Sequence, residues 1–286
     1  MTDVFVSYSR QDKDFANRLV NRLEIDRRDV WVDWQDIPRG EQWINEIKSG
    51  IENTNNFVFV VTRNSLTSEI CHLEIEHARK QNKRIIPIIR QKIEGDTEKI
   101  IKGEWLGQDW QNVAIDNWMV LTSINWVFAN DDDTFERMFT ELVEAIETDY
   151  THVKLHTRYQ VRALDWFRTN ENPSFLLTGD EIVSAENWLQ SSQGKEPKPS
   201  ALQREYILRS HEVEERRNNE IAAMEQRIKR IEQVTRAARR SIIALLIVGF
   251  VVGLCSIFVF NMLREDFTYE EQIQGTSVAV ETLVAN

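Results

Sequence analysis

The sequence predicts an α/β fold, a doubly wound parallel sheet with helices on both faces, continued by a helical region and one apolar span. Three observations carry this. Five strand-like runs alternate with helical stripes over the first 150 residues, the pattern of strand–helix–strand units. One of those runs, NFVFVV (56–61), has five apolar residues after its opening asparagine, as a strand buried on both faces of a parallel sheet requires. Near the far end, residues 241–263 form 23 consecutive uncharged, mostly apolar residues.

The elements follow in order. DVFVS (3–7) is an apolar run too short for a helix, and Phe15, Leu19 and Leu23 then recur every four residues on one helical face. DVWVD (29–33) reads as the second strand, with Pro38 and Gly40 marking the loop after it. Trp43, Ile44, Ile47 and Ile51 form the next stripe, and NFVFVV is the third strand. A helix opens at SEICHLEIEH (68–77), with Thr67 or Ser68 as its N-cap. RIIPII (84–89) is the fourth strand and INWVF (124–128) the fifth. Between them, Lys92 to Thr122 has weak periodicity and reads as an insertion with a short helix. Asp133 to Glu136 reads as a capping box before a helix carrying Phe135, Met138, Phe139, Leu142 and Ile146.

Composition narrows the function classes. The net charge is −11, and residues 1–150 carry 18 Lys and Arg against 28 Asp and Glu. Such an acidic surface is a poor footprint for nucleic acid, so no nucleic-acid partner is expected. Two cysteines, Cys71 and Cys255, one in charged and one in apolar sequence, make no disulfide framework. The N-terminus shows no basic stretch followed by an apolar one, so no signal peptide is read there.

The chemistry is expected where strands end. In an open parallel sheet, ligands bind beyond the carboxyl ends of the strands. That rule brings SYSR (7–10), DWQDIPRG (33–40) and TRNSLTS (62–68) to one cleft. Neither G-x-G-x-x-G nor G-x-x-x-x-G-K-[ST] occurs, so dinucleotide-fold dehydrogenase and Walker-type nucleotidase readings lack support. Within SEICHLEIEH, His72 and His77 are five apart, not the i, i+4 pair of a zinc helix, and no metal site is expected. Cys71 lacks a recognisable base and reads as a core packer. Glu74 is left, projecting toward the cleft edge as a partly exposed carboxylate, while Glu69 and Glu76 read as solvated charges.

DVFVSYS at the first strand, VWVDWQDIPRG at the second and S-x-x-C-x-x-E-I at the helix after the third resemble the TIR (Toll/interleukin-1 receptor) domain family, and RIIPII fits its fourth strand. The resemblance covers residues 1–149 and implies a flavodoxin-like sheet. It also implies cleavage of NAD+ at the nicotinamide–ribose bond, with Glu74 as the catalytic residue and NAD+ as substrate, not cofactor. Trp34 is expected to stack on a base ring, and Arg10 and Arg39 to meet the pyrophosphate. Ser7, Tyr8, Ser9, Asp33, Asp36 and Ser68 are the remaining expected substrate contacts. Animal members that only dock onto other TIR domains supply the alternative, a non-catalytic adaptor.

Residues 150–200 are expected to bridge, with a stripe of Tyr159, Ala163, Trp166 and Phe167, a short helix at SAENWLQ and a stiff linker, GKEPKPS. The segment resembles one that follows TIR domains in some bacterial multidomain proteins. Residues 201–240 contain neither Gly nor Pro, and Ile221, Met224, Ile228, Ile231, Thr235 and Ala238 repeat with 3-4-3-4-3 spacing. That is a short coiled-coil seam, or else a solvated stalk. Residues 241–263 make roughly 34 Å of helix, enough to span a bilayer core. Arg227, Lys229, Arg230, Arg236, Arg239 and Arg240 precede the span, and REDFTYEE follows it. The cation excess predicts a single-pass protein with its N-terminal side cytoplasmic and residues 264–286 as a short non-cytoplasmic tail. Homo-oligomers of TIR domains, and a trigger supplied by a partner or the bilayer, complete the expectation.

Overall fold

The strand TNNFVFVV (β3, Thr54–Val61) is buried at all eight positions and is the middle of the sheet. The computed structural model describes residues 1–33, 41–90, 97–102, 109–129 and 134–284. Around β3 stand β1 (Thr2–Ser7), β2 (Val30–Val32), β4 (Arg84–Ile89) and β5 (Val127–Phe128), in the order β2-β1-β3-β4-β5. Every pairing is parallel. The strand order reverses between β1 and β3, so a crevice opens there at the carboxyl ends.

Side-chain alternation divides the core into two layers. On one face Val4, Val6, Val58, Val60, Ile86 and Ile88 pack with α1 (Lys13–Ile25) and α7 (Phe135–Glu147). On the other, Phe5, Phe57, Phe59 and Val61 meet α2 (Glu41–Glu52), α4 (Glu69–Lys80) and α6 (Asp109–Leu121). Phe5 stacks on Trp31 at 4.5 Å and on Phe57 at 5.3 Å, joining three strands through one aromatic row. Gly50 of α2 lies against that row: a Cβ there would come within 2.7 Å of Trp31, so only glycine lets the helix sit this close.

Several expectations are adjusted. Ile44 of the second helical stripe is exposed, while Trp43, Ile47 and Ile51 are buried. Phe167 is likewise exposed, whereas Tyr159, Ala163 and Trp166 are buried. The region read as a weakly structured insertion contains α5 (Thr97–Lys102) and the 13-residue α6, which packs on α4. Its apolar residues Trp110, Ala114, Trp118 and Leu121 join the second core layer. The fifth strand is only two residues long, shorter than INWVF suggested. α7 has Thr134 at its N-cap with no side-chain cap hydrogen bond, in place of the capping box expected from Asp133 to Glu136, and Asp133 itself lies outside the described residues.

The chain divides into two compact units, Met1–Glu215 and Arg216–Asn286. The first includes α8 (Tyr150–Arg168), α9 (Asp180–Ser191) and the start of α10 (Ala201–Val284). α8 packs at the amino-terminal end of the sheet through polar groups. Lys83 Nζ donates to the carbonyls of Glu52 and Thr54, both at 2.7 Å, and Thr157 Oγ1 donates to Thr54 O at 3.2 Å. The stretch GKEPKPS does not hang free as a linker. Arg84 donates to Glu196 O at 2.9 Å, His152 Nε2 lies 2.9 Å from Pro197 O, and Ser200 Oγ donates to Gln160 Oε1 at 2.7 Å.

In the second unit, α10 is helical and exposed over residues 216–264. Its apolar stretch has a mean hydropathy of 3.0 over an 18-residue window with none of it buried, so it is long and apolar enough to cross a membrane. The described helix continues past 264 to Val284.

Candidate active site

The site is assembled from three loops at the carboxyl edge of the sheet. β1 ends at Ser7 and runs through Tyr8 and Ser9 into a 3₁₀ turn, Arg10–Asp12, where Ser9 Oγ accepts from Gln11 N at 3.4 Å. Asp12 ties this loop to the one after β3: Thr62 Oγ1 donates to Asp12 Oδ2 at 2.6 Å and Asn64 Nδ2 to Asp12 Oδ1 at 3.2 Å. Thr62 and Ser65 form a reciprocal capping box that turns the chain into the one-turn helix α3 (Arg63–Leu66). Ser68 then caps α4, its Oγ accepting from Cys71 N at 3.4 Å. Of the two N-caps expected, the structure selects Ser68.

The register of α4 carries Glu74 inward. Cys71, Ile75 and Ala78 are buried in the second core layer, and Glu74 lies three residues after Cys71 on the neighbouring face. The carboxyl group is therefore not partly exposed, as its sequence position suggested: Glu74 is 7% exposed. Ser7 Oγ donates to Glu74 Oε2 at 2.5 Å. Burial pushes the Glu74 carboxyl up to about 8, with Asp33 adding to the rise while the Ser7 hydrogen bond and Arg10 oppose it.

Beside it, Asp33 at the end of β2 collects three groups. Arg10 reaches its Oδ2 at 3.4 Å, Trp43 Nε1 donates to the same oxygen at 3.2 Å, and Tyr8 OH donates to its backbone carbonyl at 3.2 Å. A cavity of about 280 Å³ opens between these residues, lined by Tyr8, Arg10, Asp33, Trp43, Ser68 and Glu74 among others. Of the three expected segments, the loops at 8–10 and 64–68, together with Asp33 of the second segment, line this one cavity, with Ser7 directly behind Glu74. Trp34, Asp36 and Arg39 lie outside the described residues.

Several lining residues are not among the expected substrate contacts, Gln11, Trp43, Asn64 and Thr67 being the polar or aromatic ones. Trp43 sits in an i, i+4 apolar stripe and so reads as core, and it is indeed 5% exposed. Its indole N–H is the part that faces the site, and no spacing rule separates the two ends of an indole.

The other groups of SEICHLEIEH are spent on structure. His72 is fully buried, its Nε2 lies 2.8 Å from Leu66 O, and burial lowers its pKa to about 4. His77 Nε2 lies 3.1 Å from Glu52 Oε1. Burial drives the Cys71 thiol up, away from thiolate. Glu69 is exposed, and Glu76 pairs with Lys80 at 2.7 Å. Among the described residues, no three His, Cys, Asp or Glu side chains are grouped to hold a metal ion.

A parallel 2-1-3-4-5 sheet with a buried carboxyl group at its switch point is the arrangement set beside known proteins. Residues 4–143 match the family model described as TIR domain, and this part of the chain is a TIR domain. It is similar to the TIR domain of the Toll-related receptor TRR-2 of Hydra magnipapillata, with 20% identity, 51% of this chain and 98% of that chain covered, and a TM-score of 0.39. It is also similar to the TIR domains of the activated Roq1 resistosome directly recognizing the pathogen effector XopQ. There the identity is 16%, the coverage 57% and 99%, and the TM-score 0.30. Comparison with curated proteins gave no match.

Proposed function

We propose that this chain is a membrane-tethered TIR-domain enzyme that hydrolyses NAD+ at the nicotinamide–ribose bond and works when its TIR domains assemble. The observation that carries the reading is the buried Glu74, held by Ser7 and opening onto a cavity with Asp33, Arg10 and Trp43. In oxidised NAD+ the nicotinamide is a cationic pyridinium, so it departs as a neutral ring without a general acid. The pair of carboxyl groups that ordinary glycosides require then reduces to one. As the C1′–N bond breaks, positive charge develops on the ribose and the Glu74 carboxylate stabilises it. Water adds to C1′, giving ADP-ribose, nicotinamide and a proton.

The raised pKa of Glu74 fits this substrate. In the empty site burial favours the neutral acid, whereas a pyridinium or oxocarbenium charge close by favours the carboxylate. Charge on the substrate therefore ionises the group that acts on it, which selects NAD+ over its neutral-ring reduced form. Arg10 and Arg39 are assigned to the pyrophosphate, Trp34 to a base ring, and the hydroxyls of Tyr8, Ser9 and Ser68 to substrate contacts, with Asp36 beside them. Residues 241–263 cross the bilayer with the TIR domain on the cytoplasmic side, as the preceding cations direct.

One observation favours the second reading, a TIR domain that docks without catalysis. A neutral Glu74 bonded to Ser7 is also a satisfied buried pair with a purely structural use. Thermal unfolding of the full chain in detergent separates the two. On the enzyme reading NAD+ raises the melting temperature of the Glu74→Gln variant, which binds without turnover. An adaptor shows no shift at any NAD+ concentration.

A further inference from the structure

The spacing of α10 does not stop where the charged part of the helix ends. The seam from Ile221 to Ala238 alternates steps of three and four, and its next two steps fall on Ile242 and Leu245. Four more reach Gly249, Val252, Ser256 and Val259. No position on this row carries a charge, although Arg227, Lys229, Arg230, Glu232 and Arg236 crowd the other faces of the same helix. In the charged stretch, Ile221, Met224, Ile228 and Ile231 are each at least half exposed, an apolar row left uncovered among the described residues. We propose that the apolar span is part of a parallel interface between copies of this chain, a single row from Ile221 to Val259 packing against the same row of a second copy.

Three features commit the row to a second copy. A helix that crosses the bilayer fixes each chain's direction and depth, so two copies meet parallel and in register, and like row faces like row. Arg227 flanks Ile228 and Glu232 flanks Ile231, at the two edge positions of the heptad that face each other across a parallel seam. The opposite charges of this pair favour the parallel seam, while Glu232 also meets Arg236 of its own helix at 3.0 Å and the equivalent positions one heptad earlier, Glu220 and Glu225, carry like charges. Inside the bilayer no hydrophobic effect drives helices together, and close backbone approach at small residues takes its place. The row supplies Gly249 and Ser256 seven residues apart, and a Cβ at Gly249 would meet nothing within 4 Å.

The period also fixes the hand. A strict 3.5-residue repeat drifts about 20° per heptad on a straight helix, so keeping it in contact requires a left-handed supercoil. Gly249 and Gly253, four apart, offer the competing right-handed crossing, which uses a different row. The proposal rests on the membrane-crossing, self-associating reading above, and its test does not depend on NAD+ cleavage.

Single cysteines placed along residues 249–259 of the full chain, in a Cys255→Ser background with the buried Cys71 retained, are oxidised in membranes and read as disulfide dimers. The expected result is cross-linking severalfold stronger at 249, 252, 256 and 259 than at 250, 251, 254 and 257. Cross-linking that is absent or even along the helix overturns the proposal. So does a maximum on 249, 253 and 257, which would place a right-handed contact in the membrane and end the seam at Ala238.

Discussion

Glu74 is costly to the fold in the ionised state. The carboxyl group has an ordinary value of 4.5 when the chain is unfolded and about 8 when folded, so the folded protein holds a proton that the unfolded chain releases across that window. Its contribution to stability is full below 4.5 and is lost as the pH rises through 8, by about 1.4 kcal/mol for each pH unit crossed. Glu74→Gln keeps an acceptor for Ser7 and carries no charge. The variant is expected to melt above the wild type, with the gain widening from pH 5 to about pH 8 and levelling off above it in a calorimetric series. Glu74→Ala would instead leave a void and an unpaired Ser7 hydroxyl, and is the poorer probe. Ser7 itself holds the Glu74 pKa down through its hydrogen bond. Ser7→Ala should therefore move the acidic limb of the kcat/KM profile to higher pH, since that profile reports the free enzyme. An unmoved limb would separate Ser7 from the titrating group. The residue type and position of Glu74 were legible from S-x-x-C-x-x-E. Its burial was not, because helical spacing ranks faces but does not say how far a neighbouring loop folds over them.

At the scale of elements, what could be read was what is local. β3 and β4 were plain because short apolar runs have few other solutions in an α/β chain. The cap of α4 was narrowed to Thr67 or Ser68 by residue type at the helix start, and the structure places it at Ser68. α6 reads from sequence only as a short helix within an insertion, because Trp110, Ala114, Trp118 and Leu121 are interleaved with polar residues that give a weak stripe, and its contact with α4 defines its buried face. The docking of residues 194–200 depends on partners such as Arg84 and Gln160, far away in sequence. No composition rule detects them. The anchor of α8 is testable through Lys83, whose ammonium is buried and whose pKa is pulled down to about 7 by desolvation. Replacing it in Lys83→Met leaves the Glu52 and Thr54 carbonyls without this donor. A loss of about 2 to 3 kcal/mol is expected in denaturant melts of residues 1–215. Faster amide exchange in α8 than in β1 should accompany it. Unchanged stability would mean that the apolar contacts of α8 suffice.

At the scale of the whole molecule, the proposed function requires that the long helix concentrate a TIR domain whose own contacts are weak. Tethering raises the local concentration of domains to the millimolar range typical of short linkers, so contacts too weak to persist in dilute solution become populated. Asn at Ile221, Ile228 and Ile231 should disrupt the seam and lower NAD+ cleavage by dilute full chain, with Glu74 and its cavity untouched. Fusing a trimeric coil to residues 1–215 should restore the rate. Equal specific activity of that unit at nanomolar and micromolar concentration would make the stalk a spacer only.

The central claim is that Glu74 breaks the nicotinamide–ribose bond, and nicotinamide release by the full chain in lipid vesicles measures it directly. Wild type and Glu74→Gln are compared at equal density in the bilayer, with NAD+ in excess and with melting curves run on the same samples. The account predicts steady release by the wild type and a fall of roughly 100-fold or more in the variant, on the scale of losing a transition-state charge partner, while the variant melts no lower than the wild type. Equal release by both, or none by the wild type at densities where the chains cross-link, would contradict it.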